Sequence, residues 1–316
     1  MDNTSTNKKR KVSLMLNEKT PKVSVCVVTY NHEKYIRQCL QSIVDQKTDF
    51  DFEVIVGDDC STDGTRAIVQ EFANKYPDMV KPVFHEKNIG GTKNYFSIHQ
   101  MAQGEYVAHV DGDDYVYPGK LAYQYKILSK DDSLTVCGHR VDRFNDEHIF
   151  YESGKPQQNI FTRFTLTDAI IYGPLFAHSS YMYKKHAQLP YDQSSNLEIV
   201  DYHLLMHYML FGDAVFIHEP LGAYRIHNEG ISYKNEHKIS LLYLDAYLNI
   251  FTNTPHHGSI LLNAAIVNAL SIIKHKKLIP IQILKMFYQV KRIPNIKKIY
   301  QIRKERQKYH QTTQIN

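Results

Sequence analysis

Strand-like apolar runs that alternate with segments of helical apolar spacing constrain this chain's fold more than any other feature. Lys22–Tyr30 (KVSVCVVTY) reads as a buried strand closed by Asn31-His32. Glu33–Gln46 follows with Ile36, Leu40, Ile43 and Val44 at helical spacing. Phe52–Asp59 (FEVIVGDD) reads as a second strand, and Ser61–Tyr76 as a helix behind Ser and Thr capping candidates. Val80–Glu86 is a third, short strand, Gly91–Gln103 a helix, and Tyr106–Val110 (YVAHV) a fourth strand. Strand and helix at this spacing predict βαβ units and a mostly parallel central sheet with helices on both faces.

Such a sheet binds ligands at the carboxyl ends of its strands. Polar clusters fall at those ends: Thr29-Tyr30-Asn31, Asp58-Asp59, Asn88, and Asp111 to Asp114. Any one of them is an ordinary polar loop, but four on one edge predict a single site. In Asp111-Gly112-Asp113-Asp114 three carboxylates occupy four positions and repel one another unless a cation sits there. An Asp-x-Asp can aim two carboxylates at one point, and hard oxygen ligands suit Mg²⁺ or Mn²⁺, which also bind phosphate oxygens. Holding a diphosphate and neutralising it as it leaves is the chemistry this predicts. No glycine-rich phosphate cradle is present, which argues against ATPase and dinucleotide oxidoreductase activities.

The 316 residues include 43% hydrophobic and 22% charged, ordinary for a soluble enzyme with a sizeable core. Cys26, Cys39, Cys60 and Cys137 form no CxxC pair, so neither a zinc site nor a disulfide framework is expected. The N-terminus is basic but has no apolar stretch behind it, so no signal peptide is expected. The longest apolar segment, Ile260–Ile273, is too short to span a bilayer and contains Asn263 and Asn268. A cytoplasmic location is expected.

After Leu134 the pattern is mixed. Leu134–Phe144, Phe176–Lys185 and Ala214–His227 read as strands, Leu197–Gly212 as a helix, and the chain from about Glu236 as helices only. Three regions are expected: a flexible basic N-terminus at 1–21, a catalytic domain at 22–235 and a helical basic region at 236–316. Of the 38 Lys and Arg, twelve lie from Lys274 onward against one of the 33 acids, Glu305, leaving 26 against 32 in the body.

In order and spacing, Val23–Gln46, Phe52–Thr65, Asn88–Asn94 (NIGGTKN) and Tyr106–Asp114 resemble glycosyltransferase family 2, inverting nucleotide-sugar-dependent enzymes with the GT-A fold. The resemblance continues more loosely through Glu198–Asp213 and Tyr224–Ser232 and does not cover the tail. It implies that Thr29, Tyr30 and Asn31 contact the donor nucleotide and that Asp59 accepts the uracil N3 proton. Lys93, where many members have Arg, is implied near the phosphates. Asp111 and Gly112 are implied at the donor sugar or ribose, with Asp113 as principal metal ligand and His227 completing the metal shell. Asp201 is implied as the general base, which must take the acceptor hydroxyl's proton; Val200 stands where the family usually has Glu. Asp201 also suits a helix's first turn on electrostatic grounds alone.

The resemblance thus implies transfer of a sugar from a UDP-sugar, or another nucleotide sugar, to a glycan or lipid-linked glycan hydroxyl with Mn²⁺ or Mg²⁺. Bacterial surface polysaccharide or lipopolysaccharide synthesis is the expected setting. A processive synthase is not expected, since the chain has no QxxRW motif and no Trp. A nucleotidyltransferase and an inactive nucleotide-sugar-binding or partner-binding scaffold are the alternatives. The amphipathic tail reads either as a surface for anionic membrane, making the enzyme peripheral, or as helices packed on the body; the first is preferred. Nucleic acid is not expected as a partner, because the body is acidic and no recognition motif accompanies the basic tail.

Overall fold

A computed structural model describes residues 20–147, 150–151, 161–192, 198–199, 201–226, 236–276, 280, 283–286 and 294–313. The basic N-terminus up to residue 19, Val200, His227 and the boundary at 235 lie outside the described residues.

The first half follows the alternation in the sequence. Strands β1 (Val23–Thr29), β2 (Phe52–Asp58), β3 (Val80–Phe84) and β4 (Tyr106–Asp111) are interleaved with helices α1 (Ile36–Val44), α2 (Thr65–Lys75) and α3 (Gly91–His99). The short β5 (Tyr115–Val116) and α4 (Lys120–Leu128) follow the acidic loop. Next come β6 (Leu134–Phe144), β7 (Phe150–Tyr151), β8 (Phe161–Phe164), α5 (Leu166–Tyr172), β9 (Met182–Lys184), α6 (Asp201–Tyr208) and β10 (Asp213–Arg225). Helices α7 (Glu236–Asn253), α8 (Gly258–Lys276) and α9 (Ile296–Thr313) complete the described chain.

All the strands join one sheet, whose main order is β3-β2-β1-β4-β9-β6-β10-β5. β3, β2, β1 and β4 run parallel, so the ends of β1, β2 and β4 share one edge. β9 is antiparallel to both β4 and β6 and joins that parallel set to the parallel pair β6 and β10. Burial on both faces explains why β1 is mostly apolar, with its buried Ser24 donating to Glu53 at 2.6 Å. Val23, Val25 and Val27 pack with Ile36, Leu40, Val69 and Phe72 of the α1–α2 layer. Cys26, Ile55 and Val107 face the other way, into a core with Tyr95, Phe96 and Ile98. That second core also contains Tyr247, Leu261 and Ala265, so α7 and α8 are built on the sheet.

The expected strand at Phe176–Lys185 is strand only over Met182–Lys184; its first half is a 3₁₀ turn at His178–Ser180. There Ser180 donates its hydroxyl to the Ala177 carbonyl at 2.6 Å, the local side-chain bonding by which serine competes with a strand ladder. Helix α5 starts with a capping box: Thr165 Oγ1 accepts from Asp168 N, and the Asp168 carboxylate accepts from Thr165 N.

Helix α9 docks through one face. Arg306 donates to the carbonyls of Ile171 (3.0 Å) and Ile170 (3.1 Å) at the end of α5 and to Tyr247 Oη at 3.2 Å. A cation at a helix C-terminus satisfies carbonyls that have no partner within the helix. Tyr309 stacks on Tyr172 with centroids 4.7 Å apart. The outer face carries exposed Lys297, Arg303, Lys304 and Lys308 beside Ile296 and Tyr300, which are 81% and 69% exposed. Among the described residues no helix is long and apolar enough to cross a membrane.

Candidate active site

The parallel strand ends bring the predicted polar clusters together. β1 ends at the buried Thr29, followed by Tyr30, which is 44% exposed. Asn31 then turns with φ 55°, a left-handed conformation that Asn tolerates better than most residues. Its side-chain oxygen accepts from Thr62 N at 2.8 Å, and its own N–H donates to Ser61 Oγ at 2.9 Å. At the end of β2, Cys60 also has a positive φ, 64°. Two such turns at adjacent strand ends mark a place where local backbone preference yields to the shape of the site.

Asp59 is buried and its carboxylate accepts from the backbone N–H groups of Ile89 (2.7 Å) and Gly90 (2.9 Å). It thereby holds the loop that opens α3, on which Lys93 is half-buried. Beside it, Asp58 accepts from Arg66 Nε at 2.6 Å and from Ser61 N at 3.0 Å.

Gly112 is required by close approach. A Cβ there would lie 2.8 Å from Thr29 Oγ1 and 3.0 Å from His32 Nδ1. The absent side chain lets the acidic loop rest on the end of β1. The three acids of that loop then part ways. Asp114 is buried, accepts from Arg225 N at 2.8 Å and from the Ser179 hydroxyl, and clasps the loop to β10 and the 3₁₀ turn. Burial, then Asp113 and Asp111, push its carboxyl up. The buried Lys120 donates to Ser179 O at 2.7 Å; burial pushes its amine down to about 7. Asp113 is half-exposed, and its carbonyl accepts from Arg225 Nε at 3.0 Å. The Arg225 guanidinium lies 4.2 Å from the Tyr35 ring centroid and 4.3 Å from that of Phe144, bolting the loop in place.

Asp111 keeps 28% of its side chain exposed. One oxygen accepts from His109 Nε2 at 3.1 Å, the other lies 3.1 Å from Ser179 Oγ, which itself accepts from Asp111 N at 2.9 Å, and His178 Nδ1 is 3.8 Å away. Burial alone would raise its carboxyl; His109, His178 and the Ser179 hydroxyl outweigh that and hold it well below the usual carboxylate range. The rings of His109 and His178 stack at 3.8 Å, and burial pushes His178 down to about 4. Ligand atoms of His109, Asp111 and His178 lie within 4.8 Å of one another, a donor set that could take a cation.

Asp201 opens α6 and accepts from Tyr202 N at 2.7 Å. Burial raises its carboxyl, against the opposing effect of His178, and it is near enough to Asp111 for their charges to interact. The Tyr202 hydroxyl donates to Ala169 O at 2.9 Å and bonds the Tyr247 hydroxyl at 3.1 Å, tying α6 to α5 and α7.

Thr29, Asp111, Gly112 and Asp113 thus meet at one edge, with Asp59 and Tyr30 beside them and Asp201 across His178. His227 lies outside the described residues. His109, His178, Ser179 and Arg225 take part without having been singled out in the sequence. His109 had a usable signal: two residues before Asp111 on a strand, it shares that residue's face. Ser179 and His178 carried none, because their segment reads as a strand.

The family model described as Glycosyl transferase family 2 matches residues 24–186. An uncharacterized protein of Mycobacterium tuberculosis is 33% identical over 215 residues, 66% of this chain and 60% of that one. The chain therefore spans less than two thirds of that relative's length. Poly(ribitol-phosphate) beta-N-acetylglucosaminyltransferase TarS of Staphylococcus aureus is 46% identical over 99 residues, 30% of this chain and 17% of TarS. A crystal structure of residues 1–349 of that TarS with UDP-GlcNAc superposes with TM-score 0.61 at 21% identity, covering 92% of each chain. The mannosyltransferase PcManGT of Pyrobaculum calidifontis, in complex with GDP-Man and Mn²⁺, gives TM-score 0.54 at 18% identity, covering 98% of this chain and 93% of that one. These likenesses show the GT-A architecture expected from the sequence.

Proposed function

Because the chain belongs to glycosyltransferase family 2, we propose that it transfers a sugar from a UDP-sugar to a hydroxyl of a glycan or lipid-linked glycan, with inversion, in bacterial surface polysaccharide synthesis. One observation carries the reading: the acidic loop that would hold a diphosphate lies near a half-buried carboxylate that opens a separate helix, Asp201. The support for a nucleotide-sugar donor is that structural neighbours are complexes with UDP-GlcNAc and GDP-Man.

In this reading Thr29, Tyr30, Asn31 and Asp59 hold the nucleotide, with Tyr30 free to stack on the base by virtue of its exposure. Asp59 has lone pairs beyond the two used by Ile89 and Gly90. Lys93 serves the phosphates from the start of α3, and Asp111 and Gly112 the sugar. Asp113, with Asp111 beside it, would hold Mn²⁺ or Mg²⁺; three acids crowded in one loop fit a cation and not an anion. The ion would neutralise charge on the departing diphosphate. Asp201 takes the acceptor's proton, and its raised pKa makes it a stronger base than a solvated Asp. The outer face of α9 rests on anionic lipid, each cation near such a surface contributing about 1 kcal/mol.

The test is transfer from UDP-GlcNAc, and its hydrolysis in the absence of acceptor, with and without Mn²⁺. Neither reaction with any of a panel of nucleotide sugars, against intact folding, would overturn the assignment.

A further inference from the structure

Behind Asp111 runs a line of buried side chains that the proposed reaction does not use. Tyr183 Oη lies 2.8 Å from His99 Nδ1, His99 Nε2 lies 3.0 Å from His109 Nδ1, and His109 Nε2 lies 3.1 Å from Asp111 Oδ1. Tyr183 and His99 are fully buried and His109 is 1% exposed. Tyr95 stacks on His99 at 3.7 Å and bonds Tyr208 through its hydroxyl at 2.7 Å, which closes the chain off from solvent. Burying three polar side chains under a strand end is costly unless each is bonded, and here each is.

The chemistry of the acceptor fixes the direction. A carboxylate offers only lone pairs, so His109 must present Nε2–H to Asp111. In a neutral imidazole its Nδ1 then accepts from His99 Nε2–H, and His99 Nδ1 accepts from the Tyr183 hydroxyl. Every hydrogen bond points toward Asp111, and each strengthens the next. The Asp111 backbone is held as well, its N–H donating to Ser179 Oγ at 2.9 Å.

We propose that His109 is a positioning residue, backed by His99 and Tyr183, that fixes the Asp111 carboxylate in the orientation that receives the donor. This rests on the donor-site reading of Asp111. A Leu or Phe at 109 would fill the space without aiming the carboxylate.

The test compares His109→Phe, His109→Gln and Asp111→Asn for UDP-GlcNAc binding and kinetics with Mn²⁺, alongside thermal stability. Gln places an N–H near the position of His Nε2, so it restores the bond to Asp111 without the imidazole. His109→Phe is expected to weaken kcat/KM by roughly ten- to a hundredfold, the scale for residues that orient a ligating group. His109→Gln recovers most of this, and His109→Phe adds little once Asp111 is Asn. Histidine ¹⁵N spectra of the unmodified protein supply an independent reading: both His99 and His109 should carry the proton on Nε2. A bare Nε2 at His109, a Gln variant no better than Phe at equal stability, or full additivity with Asp111→Asn would overturn the proposal. An Asp111→Asn variant that binds UDP-GlcNAc unchanged would instead overturn the donor-site reading, and the proposal with it.

Discussion

The side of the site formed by the ends of β1 and β2 is held by bonds between neighbouring strands and turns, whereas the side carrying Asp201 is held by groups from the C-terminal helices. On the first, Asn31, Ser61 and Thr62 bond across two adjacent turns, and Asp59 holds a loop about thirty residues away. On the second, Tyr202 reaches Tyr247 on α7, and Arg306 on α9 reaches the same hydroxyl. The donor side can therefore be damaged locally, while the acceptor side can be loosened from the C-terminal helices.

The largest effect expected is on the acceptor side. Asp201→Asn should lower turnover by roughly a hundredfold or more while leaving donor affinity nearly unchanged. The pH profile gives the sign: the base works only as carboxylate, and burial raises its pKa. Activity should therefore fall as pH drops through a value above the ordinary Asp pKa of about 3.9. Donor affinity lost together with turnover would place Asp201 on the donor side.

Arg306→Ala sharpens the contrast between the two sides. It removes charged donors from the Ile170 and Ile171 carbonyls and from Tyr247, and should destabilise the protein by about 2–3 kcal/mol. At a temperature where the variant stays folded, turnover should suffer more than donor affinity. Equal losses in both would mean that α9 supports the whole fold evenly. Chemical denaturation and steady-state kinetics read the two effects.

Gly112→Ala probes the donor side. Its Cβ would press on Thr29 and His32, and crowding of this kind costs about 1–3 kcal/mol. The expected result is a raised KM for the donor with the acceptor's KM unchanged. A variant with wild-type donor KM would show that the loop can shift without consequence.

The smallest catalytic effect is expected on the outer face of α9. Reversing Lys297, Arg303 and Lys304 to Glu should abolish binding to anionic vesicles at low salt and leave transfer to a soluble acceptor intact. Vesicle binding that survives the reversal would locate the contact elsewhere.

Legibility in the sequence divides along the same line. Strands β1, β2 and β4 could be read because burial on both faces makes them mostly apolar, and the acids ending β4 announce themselves by their crowding. The role of Asp114 could not be read. Asp114 is a clasp because Arg225, 111 residues later, and Ser179, 65 residues later, bond to it. Arg306 counted in the sequence as one more tail cation, yet it turns inward to α5, 135 residues before it. Local pattern carries no record of such contacts, which arise only when the sheet brings the segments together.

The central claim, that the loop at the end of β4 binds a nucleotide-sugar diphosphate through a divalent ion held by Asp113, is tested most directly by thermal stabilisation. UDP-GlcNAc with Mn²⁺ should stabilise the wild-type protein, by about 2.7 kcal/mol when the ligand is at a hundred times its Kd. Asp113→Asn, or excess EDTA with the wild type, should remove that stabilisation while leaving the melting temperature of the ligand-free protein nearly unchanged. Undiminished stabilisation of Asp113→Asn, or of wild type in EDTA, would contradict it.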